Sequence, residues 1–175
     1  MANALTDPPF AANPPVKVNI DAKILGLVIA ILAILGAILN LFVGGLFSIF
    51  AFAGGFAFVW FLGVLIALIA DIVGAVGGFR MYNADRTGKA LVIYALALGV
   101  LGSLVHLIGI LIAYSGIYAF GFTPAGDIIG FIITAIIYFL VYYIVVISRF
   151  PGDAPVAPMS SGGYGGTPPP PPPSV

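Results

Sequence analysis

Three side chains set deep in the apolar stretches of this sequence could do chemistry: Asp71, His106 and Asn40. An ionisable group surrounded by hydrocarbon is costly, so it carries a functional hypothesis by default. Asp71 could hold a proton or a cation. With no cationic partner in the same stretches, its carboxyl is expected to spend much of its time as the neutral acid, bonding helices together. The expected partners are the hydroxyls of Tyr94, Tyr138 or Tyr142. His106 stands one helical turn after Gly102, so a flat tetrapyrrole could approach the backbone while the imidazole ligates its metal. A lone histidine with no second ligand fits a structural role better. Asn40 follows Lys23 by as many positions as His106 follows Lys89. At about 1.5 Å per residue, both stand roughly 25 Å from that charged boundary. The two are therefore expected to be hydrogen-bonded neighbours, a contact worth about 0.6 kcal/mol. Asp71 lies only about 13 Å above Arg80 by the same rise and should not meet His106.

Other chemistries lack their residues. There is no paired-carboxylate site, histidine cluster, nucleophile beside a base, or glycine loop of the phosphate-cradling kind. The run from Arg86 to Lys89 lacks the glycine spacing and preceding strand of such a loop, and reads as a connector whose cations sit among lipid headgroups. Cysteine is absent, which excludes disulfides, thiolate metal sites and a cysteine nucleophile. Neither catalysis, a bound metal nor a resident cofactor is expected, with His106 the one cofactor candidate.

The elements that must position these residues follow from composition. Of 175 residues, 62% are hydrophobic and 7% charged, against about a quarter charged in a soluble domain. Such a chain needs the lipid bilayer as solvent. Its net charge of zero supplies no field to gather nucleic acid. Crossing a bilayer takes about 20 residues, and the apolar runs predict an all-α integral membrane protein with four transmembrane helices, over about 24–44, 56–79, 90–114 and 124–148. The first two spans are joined by an aromatic connector containing Phe47, Phe50, Phe52 and Phe56, with Trp60 just beyond. A polar loop from Arg80 to Lys89 separates the middle two. Thr123 and Pro124 suit the cap and first position of the last helix, with Asp127 in its first turn.

The chain accordingly divides into a proline-containing amino-terminal tail (1–22), a four-helix membrane domain (23–149) and a proline- and glycine-rich tail (150–175), the tails expected to be disordered. Lys17, Lys23, Arg80, Arg86, Lys89 and Arg149 all fall on one side of this arrangement. By the positive-inside rule that side is cytoplasmic, which places both termini there; the membrane expected is the plasma or inner membrane. No cleaved leader is expected, because the first apolar run is too long for one.

Helices in lipid associate through small side chains that let backbones approach. The first span offers Gly26, Ala30, Ala33 and Ala37 before Asn40; the second offers Gly63, Ala67, Ala70 and Gly74; the third offers Ala95, Gly99 and Gly102 before His106 and Gly109. A spacing alternating between three and four keeps such residues on one face. The fourth span has Gly130 and Thr134 and then the bulky Tyr138, Tyr142 and Tyr143, so it is expected to pack peripherally or to meet another protein. These features suggest a non-catalytic accessory or scaffolding subunit packed beside other integral membrane subunits, with a cytoplasmic partner for the proline-rich tail. The alternatives are a small oligomeric transporter or channel built on Asp71, and a tetrapyrrole-binding subunit built on His106.

Overall fold

The computed structural model describes residues 5–11, 14–16, 19–45, 58–115 and 125–153. Four helices, α1 (Ala22–Leu39), α2 (Phe58–Tyr82), α3 (Thr87–Ser115) and α4 (Ala125–Ile147), are each long and apolar enough to cross a membrane, and no strand occurs among the described residues. The chain is thus an all-helical, multi-pass membrane bundle. Asp21 starts α1 by accepting the Lys23 amide at 2.7 Å, which satisfies a donor that the first turn leaves free. At its other end α1 widens into a π turn over Asn40–Gly45.

The polar loop expected from Arg80 to Lys89 is shorter than its composition suggests. Helix α2 runs on through Arg80, Met81 and Tyr82, and α3 already begins at Thr87. The Ala84 and Asp85 amides bond back to the carbonyls of Met81 and Arg80, with Ala84 in the left-handed region at φ 62°. Asp85 then accepts from both the amide and the hydroxyl of Thr87, so four residues complete the turn.

Successive helices run antiparallel in constant register. Along the first pair, Gly26 abuts Gly78 and Met81, Ala33 faces Gly74, and Gly36 lies against Asp71. Along the second, Gly77 meets Val92, Gly74 meets Ala95, Gly63 meets His106 and Trp60 meets Gly109. A Cβ on Gly102 would stand 2.9 Å from the Ala67 amide nitrogen, so only glycine lets α2 and α3 lie backbone to backbone there. Gly99 departs from the expected seam: it turns to α4, where the Tyr138 ring covers it. Helix α2 therefore stands between α1 and α3, and α3 between α2 and α4.

Five cations, Lys23, Arg80, Arg86, Lys89 and Arg149, gather where α1 and α3 begin and α2 and α4 end, and this basic end is closed. Ala22, Met81, Val92, Ile93, Val145, Val146 and Phe150 form its core. The Ala22 amide donates to the Arg149 carbonyl at 2.7 Å, and the Arg149 amide to the Ile20 carbonyl at 3.0 Å, tying α1 to the end of α4. Lys89 and Arg86 each also find a partner within the protein. Lys89 Nζ donates to the carbonyls of Val146 (2.6 Å) and Ser148 (3.0 Å), closing the end of α4. Arg86 pairs with Asp153 at 2.5 Å.

The amino-terminal segment also corrects an expectation. Its described part is no disordered tail: Phe10 lies between Tyr142 and Tyr143, edge-on to the first and stacked on the second. The Tyr142 hydroxyl donates to the Leu5 carbonyl, and the Tyr143 hydroxyl to the Val16 carbonyl. Those aromatic rings, on a helix expected to pack peripherally or to meet another protein, hold Leu5, Phe10 and Val16 of the same chain. The Thr123 and Pro124 cap, the aromatic connector from Phe47 to Phe56 and the tail from 154 onward lie outside the described residues.

Candidate functional site

The polar residues of the membrane interior divide between two places. In the first, Asn40 Nδ2 donates to Asp71 Oδ2 at 2.6 Å. Asn40 thus meets Asp71 and not His106, and the reason is geometric. Lys23 and Arg80, taken as one level, are not level: the register of Gly36 on Asp71 places Lys23 about a turn nearer the basic end than Arg80. Side chains also lean toward the amino terminus of their own helix, so in this antiparallel pair Asn40 leans down and Asp71 leans up, closing the remaining step. His106 sits on the other side of α2, against Gly63.

The tyrosines expected around Asp71 also sort differently. Tyr94 turns outward and is 42% exposed, and Tyr142 is engaged by Leu5. Tyr138 alone of the three shares a cavity with Asp71, a space of about 260 Å³ bounded by all four helices, with Gly36, Gly74 and Ala95 among its walls. Gly36 was not in the expected α1 seam, where Ala37 was. A step of three or four from Ala33 fits either residue, and only the neighbour decides which one faces α2.

The second place is a wedge between the far halves of α3 and α4. Ser103, His106, Asp127 and Thr134 line a space of about 240 Å³ there, beside Gly126 and Gly130. A Cβ on either glycine would meet nothing within 4 Å among the described residues. Asp127, read from sequence as a partner of the helix dipole, thus shares a cavity with His106, a pairing that needs the α3–α4 register to be seen. The His106 ring also stands edge-on to Trp60, with centroids 5.6 Å apart. Trp60 Nε1 is buried with no acceptor among the described residues.

The wedge does not suit a tetrapyrrole. The backbone at Gly102 that a macrocycle would approach is covered by Gly63 and Ala67 of α2, and a space of about 240 Å³ falls below the roughly 300 to 1,000 Å³ of ordinary small-molecule sites. Among the described residues no three acidic, histidine or cysteine side chains cluster as metal ligands. Outside the spans, hydrogen bonds from Thr87 hold the Asp85 carboxyl below its ordinary range, and the Phe150 amide does the same for Asp153. Compared with known protein families, curated proteins and solved structures, the chain matches none.

Proposed function

We propose that the chain is a non-catalytic membrane subunit, with both ends cytoplasmic in a plasma or inner membrane, that packs beside larger integral membrane partners. The α3–α4 wedge carries this reading. Ser103, His106, Asp127 and Thr134 converge on a space that no described side chain fills, and polar groups at membrane depth favour hydrogen-bonded protein over hydrocarbon. A partner helix bearing a polar side chain supplies that contact, with Gly126 and Gly130 admitting its backbone. The orientation is supported by the five cations at the end where the described termini meet.

A photo-reactive residue at Gly130, compared with one at Val28 on the lipid face of α1, tests the reading in native membranes. Cross-links to a discrete protein from Gly130 and to lipid from Val28 are expected. A chain that purifies alone, with lipid cross-links from both positions, sinks it. Because the sequence has no cysteine, single labels also read the orientation: Asn83→Cys should react only after the membrane is opened, and Gly126→Cys without opening.

A second reading has its own observation. Asp71 borders an intramembrane cavity and suits a transporter or channel that carries a proton or cation there. Flux through reconstituted vesicles that is the same for Asp71→Asn as for the parent chain removes it.

A further inference from the structure

The cavity at Asp71 has a shape and charge that name an occupant. One carboxylate oxygen, Oδ2, accepts from Asn40, and among the described residues Oδ1 accepts nothing. Oδ1 is open because residue 36 is glycine: a Cβ there would stand 2.9 Å from it. Asn40 donates a hydrogen bond but brings no charge, and the described lysines and arginines all lie at the basic end. Once Asp71 is ionised, the charge complement that the described residues of the pocket do not supply is a single cation with an N–H to donate. Across the cavity Tyr138 forms part of the wall, an aromatic side chain against which the apolar frame of such a cation packs.

The route in narrows the class further. Above the clasp at Arg149, α1 and α4 are not a packed pair, and the residues bordering the cavity on these two helices include Leu32, 61% exposed, and Ile137, 50% exposed. Both meet the hydrocarbon of the bilayer. A hydrated metal ion or polar solute has no path between them, whereas a molecule that dissolves in lipid does. The volume of about 260 Å³ suits one ring or a short chain, below the roughly 300 Å³ where drug-sized sites begin.

We propose that this cavity binds a small lipophilic amine as its ammonium ion, admitted from the bilayer between α1 and α4, with the N–H donated to Asp71 Oδ1 and the apolar frame against Tyr138. An amine that enters neutral takes the Asp71 proton: the acid O–H breaks, an N–H forms on the nitrogen lone pair, and the resulting ammonium–carboxylate pair has the same total charge. The inference uses the cavity of the transport reading but requires binding alone, and it is independent of any protein partner.

The test uses the full chain in phosphatidylcholine nanodiscs, with tritiated phenethylamine and its alcohol isostere, phenethyl alcohol, each corrected for partition into empty discs. The amine should bind at least about tenfold tighter than the alcohol, because only it makes a charge-assisted hydrogen bond, and Asp71→Asn should erase that preference. Equal uptake of the two probes means an apolar cavity that lipid tails can fill, and overturns the proposal; so does an amine preference that survives in a folded Asp71→Asn. Should that variant not fold, Leu32→Trp, on the lipid-facing rim, decides: it should slow amine exchange several-fold, and unchanged exchange counts against entry between α1 and α4 and overturns the proposal. Vesicle flux of phenethylamine is read separately, so that binding without flux supports the site while removing the transport reading.

Discussion

Toward α2, helix α3 presents Gly102, Gly109 and the backbone at His106, and at each of these levels backbone lies on backbone. Toward α4 the same helix presents Gly99 beneath the Tyr138 ring, and farther along it presents Ser103 and His106 across an open wedge. Glycine occurs on both sides, yet it does opposite work. At Gly63 it removes the atoms that would hold α2 and α3 apart; at Gly130 it leaves a space unfilled. The difference teaches that a small residue in a membrane helix specifies a contact only when the facing helix also presents backbone at that level. Where the neighbour is attached at one end, the same residue type lines a gap. Helix α4 is attached in this way: Lys89, the Arg149 backbone and the amino-terminal segment secure its basic end, while its far half stands off.

This contrast can be broken most directly by adding the same side chain to both sides. Gly63→Val should lower thermal stability in detergent by about 3 kcal/mol, the upper part of the usual range for overpacking, since the obstructing atoms are the His106 backbone. Gly130→Val should change it by less than about 0.5 kcal/mol. Equal losses would mean that the wedge is closed. Next in size, Lys89→Met removes both bonds to the carbonyls that end α4. A loss of about 1.5 kcal/mol is expected, low for a charged donor because the ammonium is only partly buried, together with faster amide exchange at Val146 to Phe150. Unchanged exchange there would show that α4 is held by other contacts. On the α1 side, a double-mutant cycle of Asn40→Ala with Asp71→Ala should give a coupling of about 0.6 kcal/mol, whereas Asn40→Ala with His106→Ala should give none.

The smallest effect concerns the closed end and acidity. Asp85 and Asp153 titrate below the ordinary 3.8. A depressed carboxyl contributes its stability above the unfolded value and loses it as pH falls through the folded one. Normalised protection of the Thr87 and Phe150 amides should therefore hold above pH 3.8 and decline below it, while the α2–α3 seam keeps its protection. Simultaneous loss at both would show that the two regions do not open separately.

Much of the architecture was legible because hydrocarbon imposes so few solutions. Runs such as the one from Ala90 to Tyr114 announce a span by length and polarity alone, and helices in lipid announce contact faces by small residues. The polar pairings were less legible. Depth counted from Lys23 and Lys89 paired Asn40 with His106, because charged residues mark a boundary only to within a helical turn. Gly36 and Ala37 were indistinguishable at a period between three and four. Phe10 and the Tyr142–Tyr143 pair are separated by most of the chain, and no local spacing relates them.

The sequence by itself determined that four helices are long and apolar enough to cross a membrane, that cations gather at one end, and which residues are small enough for helices to meet. These are properties of single segments against a solvent, and segment composition contains them. Which glycine is filled, that Asn40 reaches Asp71 around an antiparallel register, that Asp127 lines the same cavity as His106, and that Leu5, Phe10 and Val16 meet the tyrosines were decided only by tertiary structure. Each depends on the relative height and rotation of two helices, and a shift of one residue, about 1.5 Å along the axis and about 100° around it, exchanges one partner for another.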